Sequence, residues 1–499
     1  MSQPRFVPRR HINPRFEEDL QFQEVSGPAR YASATERTVH YLAVADGKGT
    51  VTGYVWANDE DDAAGWIPRR DAGTQAVNDG TWIRRLRDAK AQGRTPRSAL
   101  RQMIRDGAAL SGAHVVAGSY AEAPHVGVLR DLADRAAPGR VGQAARGALF
   151  GLGIGDAMGR PLAPLDTHQM AAAYGGWRDM ELPYWEGESV RVSDHTQLSL
   201  AVAEALAEVT VRAPLSEAEQ RHSLTTRGAL PALPWVTPGA VAAALRTHLV
   251  RWLGSPDNDR SPGRTTLEAC AALKEPVPWQ AASAVTSKGC AALVRATGVG
   301  LAPHLSGEQR SGIAQLQAAL THGHPTALAA SDLVAHAVDL LAHGCAPAGL
   351  LDRLRAHAAA SRSTYRSDWL GDLAARAGAD SPAAFAAQGW DECLKALDTV
   401  SDALLAKDPD REPGAAVGTA WTAEQALAAA LYSHLVTDGH ARHTVRRAAH
   451  SSGASAAVAA LAGAFAGARR GNAHWPQEWL AALEYRERID VLATAWDRN

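Results

Sequence analysis

The sequence predicts a mainly α protein, an all-α bundle over residues 138–499 preceded by a small α+β domain over residues 1–137. Three observations predict it. From Arg140 onward Leu, Val and Ala recur at helical spacing between polar loops. Before that point two β-rich runs flank an Asp-Gly turn, the pattern of a hairpin. Finally, Gly147, Gly151, Gly155 and Gly159 recur every fourth residue, which puts them on one face of a helix.

A chain of 499 residues is long for one domain, and two are expected. Charged residues make up 21% and hydrophobic ones 46%, an ordinary globular balance that does not indicate disorder. The net charge of −2 gives no bulk attraction for nucleic acid, and the pairs Arg9-Arg10 and Arg69-Arg70 are too short to change that. Cys270, Cys290, Cys345 and Cys393 are scattered without a CxxC, and the start Met-Ser-Gln-Pro carries no apolar leader core. A reduced, cytoplasmic setting is therefore expected. No run approaches the roughly 20 uninterrupted apolar residues that span a bilayer, so no membrane association is expected; the Ala-rich stretch 454–468 is broken by Ser and Gly.

Along the chain, the first 30 residues are rich in Pro and Arg and read as irregular. Residues 38–45 and 50–57 read as strands joined by Asp46-Gly47-Lys48-Gly49. The acidic run 58–62 reads as a loop. A calcium loop would need the EF-hand spacing, which is absent, and a solvated turn is the simpler account. Helices are predicted at 81–89 and 96–106, then at 197–210, 236–253, 325–343, 349–360, 383–405, 422–436 and 455–469. Pro- and Gly-marked loops at 254–263 and 407–414 punctuate them, and no tandem repeat is present.

A glycine in a helix interior is less favourable than Ala by about 1 kcal/mol, so a glycine face calls for a packing reason, close helix–helix contact. Gly151-Leu-Gly153-Ile-Gly155 is a weak nucleotide-loop signal, because no strand precedes it and the GxGxxG spacing is missing. The whole string Arg146-Gly-Ala-Leu-Phe-Gly-Leu-Gly-Ile-Gly-Asp-Ala-Met-Gly-Arg-Pro161 resembles the opening helix of the ADP-ribosylglycohydrolase family, which includes the ADP-ribosylhydrolases and the dinitrogenase reductase-activating glycohydrolases. Ser193-Asp194-His195-Thr196-Gln197 resembles that family's Thr-Asp-Asp-Thr-Gln. Arg251-Trp252 and 261–266 resemble its Trp and Gly-x-Thr-Thr region. Ser287-Lys-Gly-Cys-Ala-Ala-Leu-Val-Arg295 is similar to its Ser-x-Gly-Cys-Gly-x-x-Met-Arg loop, and Thr321-His-Gly-His-Pro325 to its Thr-His-x-x-Pro. The helix at 459–468 and Trp475-Pro476-x-x-Trp479 resemble its closing elements. Each match is weak alone, but they occur in the family's order. The resemblance implies an orthogonal all-α bundle with a cleft for metal and ADP-ribose.

Members of the family hold two Mg²⁺ ions, hard cations that take oxygen ligands in near-octahedral geometry. The resemblance places those ligands in three segments, and this sequence departs from the pattern in each. The Glu expected seven residues after Asp156 is Ala163. In the Thr-Asp-Asp trio, Ser193 and Asp194 remain donors, but His195 brings an imidazole, a poor magnesium ligand. The Gly-Gly-Asp-x-Asp-Thr loop becomes 452–457, with Ala454, Ala456 and Ala457 at the two Asp positions and the Thr. No cofactor is therefore expected: magnesium belongs to the family, and its ligands are replaced here.

Other groups have competing readings. His195, Asp194 and His450, with His440 and His443 nearby in the implied fold, could form a replacement zinc site, against solvated or capping histidines. Asp156 could act as a general base, against an Asp that accepts backbone hydrogen bonds and shapes its turn. Asp194 and His195 could form an acid–base pair. Cys290 would need a base or a helix N-terminus nearby to be reactive, and otherwise is a small buried residue.

The function this implies is an ADP-ribosylglycohydrolase-like protein with a degenerate magnesium site. It would bind ADP-ribose, a nucleotide sugar or an ADP-ribosylated protein through Ser193, Asp194, His195, Thr196, Ser452, Gly453 and Ser455. The alternatives are a glycosidic-bond hydrolase using Asp194, His195 or Asp156 with an altered or metal-independent mechanism, and an assembly protein with an empty cleft. Pro138-Gly139 precedes the glycine helix and marks the boundary. A chain beginning at residue 138 is expected to be soluble and strongly helical by circular dichroism; aggregation or weak helicity would show that it depends on the first domain.

Overall fold

The computed structural model describes residues 29–45, 51–69, 80–106, 113–116, 119–135, 141, 143–183, 189–210 and 232–497. The hairpin turn at 46–50, most of the irregular N-terminal stretch and the boundary at 136–140 lie outside them. The chain divides into two compact units, Met1–Ala133 and Asp134–Asn499.

In the N-terminal unit, β1 (Val39–Ala45) pairs antiparallel with β2 (Val51–Asn58), and β2 with β3 (Ala63–Pro68). The far edge of β1 carries the short strands β4 (His114–Val115) and β5 (Ala121–Ala123). Both faces of the sheet are covered, so β1 and β2 are almost continuously apolar rather than alternating. Leu42, Val44 and Val55 pack on α1 (Thr81–Ala91) and α2 (Pro96–Asp106) through Trp82, Leu86 and Leu100. On the other face Val39, Tyr41 and Trp56 pack against Val126 and Leu129 of α3 (Val126–Arg135). The acidic run is the tight turn of the β2–β3 hairpin, with Asp62 at φ 47°. Arg37 and Lys90 pair with its acids, and the Asp59 side chain accepts from the Arg97 backbone N–H at 2.7 Å.

The C-terminal unit is all-α. Its helices of nine or more residues are α4 (Ala144–Gly159), α5 (Asp194–Thr210), α6 (Pro238–Leu253), α7 (Arg264–Ala272), α8 (Gly307–Ala319), α9 (Pro325–Ala342), α10 (Pro347–Ser361), α11 (Pro382–Leu405), α12 (Ala423–Val436), α13 (Ala441–Ala449), α14 (Ser455–Arg470) and α15 (Arg486–Asp497). Five of these twelve begin with a sequence-encoded start signal: Thr237, Ser306 and Ser381 accept from the N–H three residues on, and Pro opens α6, α9, α10 and α11. α9 is buried along nearly its whole length. Its one buried carboxylate, Asp332, is satisfied by Ser311, Gln315 and His357 at 2.9–3.0 Å.

The centre of this unit is the α4–α14 pair. A Cβ at Gly155 would lie 1.9 Å from the Ala459 carbonyl oxygen, and one at Gly151 would lie 2.2 Å from that of Gly463. From the other side, a Cβ at Gly463 or Gly467 would strike the carbonyl of Gly151 or Gly147 at 2.0 and 1.9 Å. The two backbones touch, with no room for a methyl group. The N-terminus of α4 is capped from the far end of the chain, where the Asp497 carboxylate accepts from the N–H groups of Ala145 and Arg146 at 2.8 and 3.0 Å.

This geometry inverts the usual propensity rule. Gly155→Ala is expected to destabilise the protein by about 1–3 kcal/mol through overpacking, although Ala is the better helix former. Gly349→Ala, on a helix position with open space around it, should be neutral or stabilising by up to about 1 kcal/mol. Denaturant unfolding of both variants tests the sign; a neutral Gly155→Ala would show that the two helices can separate.

Candidate functional site

The close packing of α4 on α14 brings together the three segments singled out in the sequence. The C-terminal end of α4 meets the N-terminus of α14, where the Ser455 hydroxyl donates to the Gly159 carbonyl at 2.8 Å. The N-terminus of α5 meets the same end of α4 through Asp156. This fully buried carboxylate accepts from the Ser193 N–H and Oγ–H at 2.9 and 2.6 Å and from the Thr196 N–H and Oγ1–H at 3.1 and 2.6 Å. Asp156 thus satisfies otherwise open N–H groups at the start of α5 and complements its dipole. Its oxygens are committed to those donors, which is the turn-shaping role rather than that of a free base.

Asp194, the first residue of α5, is 7% exposed. Burial pushes its pKa up; the charge of Asp156 adds to that, while His195 and Arg295 oppose it. His195 is half-buried, and its Nδ1 has no partner among the described residues. No hydrogen bond joins the His195 ring to Asp194 among the described residues.

The segment 287–295 forms the adjoining wall. Lys288 Nζ donates to Glu392 at 2.7 Å and to Glu424 at 3.0 Å, and Thr326 and Thr422 donate to the same two carboxylates. The Lys288 carbonyl accepts from the Ala423 N–H, and the Cys290 N–H donates to the Trp421 carbonyl. This clamp ties the segment to α11 and α12, and leaves Trp421 59% exposed beside it. Burial, with the charge of Asp194 adding to it, pushes the Cys290 thiol up to about 12, so Cys290 is a packed residue and not a nucleophile. Arg295 is fully buried and bonds Gln317 and Thr321 at 2.8–3.0 Å. Burial lowers its pKa to about 10, and it remains a cation.

In the third segment, the Ser452 N–H and hydroxyl both donate to Glu412, which also caps 413–417. Gly453 has φ 87°, and a Cβ there would lie 1.9 Å from the Thr419 carbonyl oxygen. Ala454, Ala456 and Ala457 are buried. The hydroxyls of Ser193, Thr196, Ser452 and Ser455 are therefore each engaged within the protein. His440 and His443 stack on each other at 4.2 Å, and His443 meets the edge of Trp177. Among the described residues no three His, Cys, Asp or Glu side chains form a metal-ligand group. Sequence reasoning did not find the Lys288 clamp or Glu412.

The helix ends converging on one buried carboxylate, in an all-α bundle closed by a glycine-lined helix pair, define the structural class. The sequence profile of the ADP-ribosylglycohydrolase family matches residues 137–498, and the chain belongs to that family. An uncharacterized protein of Archaeoglobus fulgidus is 26% identical over 194 residues, which are 39% of this chain; the chain spans about half of that relative, 54% of its length. A solved ADP-ribosylglycohydrolase-related protein complex is similar at 22% identity, over 72% of this chain and 98% of the other, with a TM-score of 0.46. No helix among the described residues is long and apolar enough to cross a membrane.

The clamp makes a thermodynamic prediction. Lys288→Met leaves Glu424, whose side chain is 12% exposed, and Glu392 facing each other without a cation, and should destabilise the protein by about 1–3 kcal/mol. Adding Glu392→Gln and Glu424→Gln should recover most of that loss. If the triple variant is no more stable than Lys288→Met, the charges are not what holds the loop.

Proposed function

We propose that the helical unit is a binding protein for ADP-ribose, a nucleotide sugar or an ADP-ribosylated partner, and that it has lost the dinuclear magnesium centre of its family. The observation that carries this reading is the donor set where the three segments meet. Two magnesium ions would need several oxygen ligands. The residues here offer Asp194, a buried carboxyl whose pKa burial raises, and Asp156, whose oxygens already accept four hydrogen bonds. The remaining family positions present the methyl groups of Ala163, Ala454, Ala456 and Ala457, and the imidazole of His195. That set does not fit the ion pair. In this reading the ligand is recognised by what remains: the Ser193–Thr196 turn, the Ser452–Ser455 turn and the exposed Trp421. The N-terminal unit would serve partner binding or regulation.

A second reading, an active glycosidic-bond hydrolase, is favoured by one observation. A carboxyl with a raised pKa beside a half-buried imidazole is the chemistry of general acid catalysis. Asp194 would then protonate the leaving group, with His195 orienting it. An assembly protein without a ligand is the reading favoured by the internally bonded hydroxyls of Ser193, Thr196, Ser452 and Ser455.

Calorimetry should show saturable binding of ADP-ribose by the wild-type chain without added metal, and no tight Mg²⁺ binding. Release of ADP-ribose from modified arginine, serine or nucleic acid should stay at background. Ala163→Glu, His195→Asp, Ala454→Asp, Ala456→Asp and Ala457→Thr together should restore Mg²⁺ binding. Turnover by wild type that disappears in Asp194→Ala would overturn the binding-protein reading in favour of the hydrolase; absence of any ADP-ribose binding would favour the assembly reading.

A further inference from the structure

The N-terminal unit contains a site that nothing above uses, a groove of about 420 Å³ along the outer edge of β3. The ladder fixes which groups face it. The Ala64 N–H donates outward to the Ala32 carbonyl at 3.0 Å, and the Ala32 N–H donates to Asp62 O at 2.9 Å. On the other side the Arg69 N–H turns inward to Thr52 O of β2. Backbone groups alternate along a strand, so the N–H and C=O of Trp66 face outward, and Pro68 occupies the next outward position, where no N–H is needed. Among the described residues nothing pairs with the outward groups of Trp66. Ala32 fills one slot of the edge, and the following slot has no partner among the described residues.

The groove is walled by indoles. Trp66 lies across Gly53 and Trp56 across Gly65, so closely that a Cβ on either glycine would stand 2.4 or 2.8 Å from the ring. Ile83 extends the apolar wall and is 41% exposed. Trp66 Nε1 is buried without a partner among the described residues. The rim is cationic: Arg30, Arg87 and Arg130 line the groove, and among the described residues none of them has an ion pair and no acidic residue lines it.

We propose that the β3 edge docks an extended acidic peptide segment of a partner protein as an added strand. Its backbone would pair with the N–H and C=O of Trp66, its side chains on one face would lie against Trp66 and Ile83 and those on the other against Ile67, and its carboxylates would meet the three arginines. A small planar anion would match the rim but leave the strand's hydrogen-bonding groups unmet. A second copy of the chain would bring like charges together.

The test is fluorescence anisotropy on the full-length chain with a labelled, end-capped peptide of alternating Val and Glu. The Glu peptide should bind saturably, and the same peptide with Lys in place of Glu should not. N-methylation of alternate backbone nitrogens should weaken binding by at least about tenfold, because it blocks strand pairing without changing charge. Arg30→Glu, Arg87→Glu and Arg130→Glu together should weaken it by at least about tenfold as well. Should that triple variant misfold, Ile83→Asp alone carries the same expectation. No binding below about 1 mM, equal binding of the N-methylated peptide, binding that Ile83→Asp and the arginine reversals leave unchanged, or a dimer through this edge in sedimentation would each overturn the proposal.

Discussion

The contact between the backbones of α4 and α14 is the constraint on which the helical unit is built. Dispersion between two helices is limited by how closely their axes approach, and side chains usually set that limit. Here glycines remove the side chains on both partners, so carbonyl and Cα of one helix meet those of the other. The approach fixes the pair along its whole length, because Gly147, Gly151, Gly155 and Gly159 of α4 and Gly463 and Gly467 of α14 each face a backbone oxygen of the other helix. It also fixes where the helices end. Gly159 at the end of α4 is pinned to Ser455 at the start of α14, and Asp156 one turn earlier receives the start of α5. The candidate site is therefore a consequence of core packing, not of a flexible loop.

The same arrangement limits what the site can do. A buried carboxylate must be satisfied by donors or neutralised. Asp156 is satisfied by four, all from the turn that opens α5. Asp194 next to it lacks such a set, and its ionisation is disfavoured by burial and by its neighbour. Two neighbouring acids thus sit in different surroundings, one accepting four hydrogen bonds from the start of a helix and the other buried without such a set. Buried, cationic Arg295 opposes part of the rise in the Asp194 pKa.

The parts of this organisation that depend on local pattern are readable in the sequence. The glycine ladder, the capped helices and the two long strands each follow from residues close together in the chain. The edge strand β3 is not readable, because Ala63-Ala-Gly-Trp-Ile-Pro68 is poor in β-branched residues and owes its conformation to pairing with β2. The Lys288 clamp escapes for another reason: its partners lie 104 and 136 residues away, on helices whose sequences give no sign of which acid faces inward. Glu412 is similar, since it sits in a loop of charged residues and only the fold selects it to hold Ser452. Asp156 could be placed at the end of its helix, but the choice between base and cap needed the positions of Ser193 and Thr196.

On the proposed reading, the substitutions at the start of α14 and at His195 belong together electrostatically. In a cleft that holds dications, the metals balance the carboxylates, so a diphosphate meets no net negative charge. Removing the metals alone would leave carboxylates facing the phosphates; at a separation of 4 Å each such pair is unfavourable by about 4 kcal/mol for an effective dielectric near 20. Methyl groups at Ala163, Ala454 and Ala456 take away that repulsion. Loss of the metal ligands therefore need not mean loss of the ligand, because the charges that would have repelled a nucleotide diphosphate leave with the ions that once balanced them.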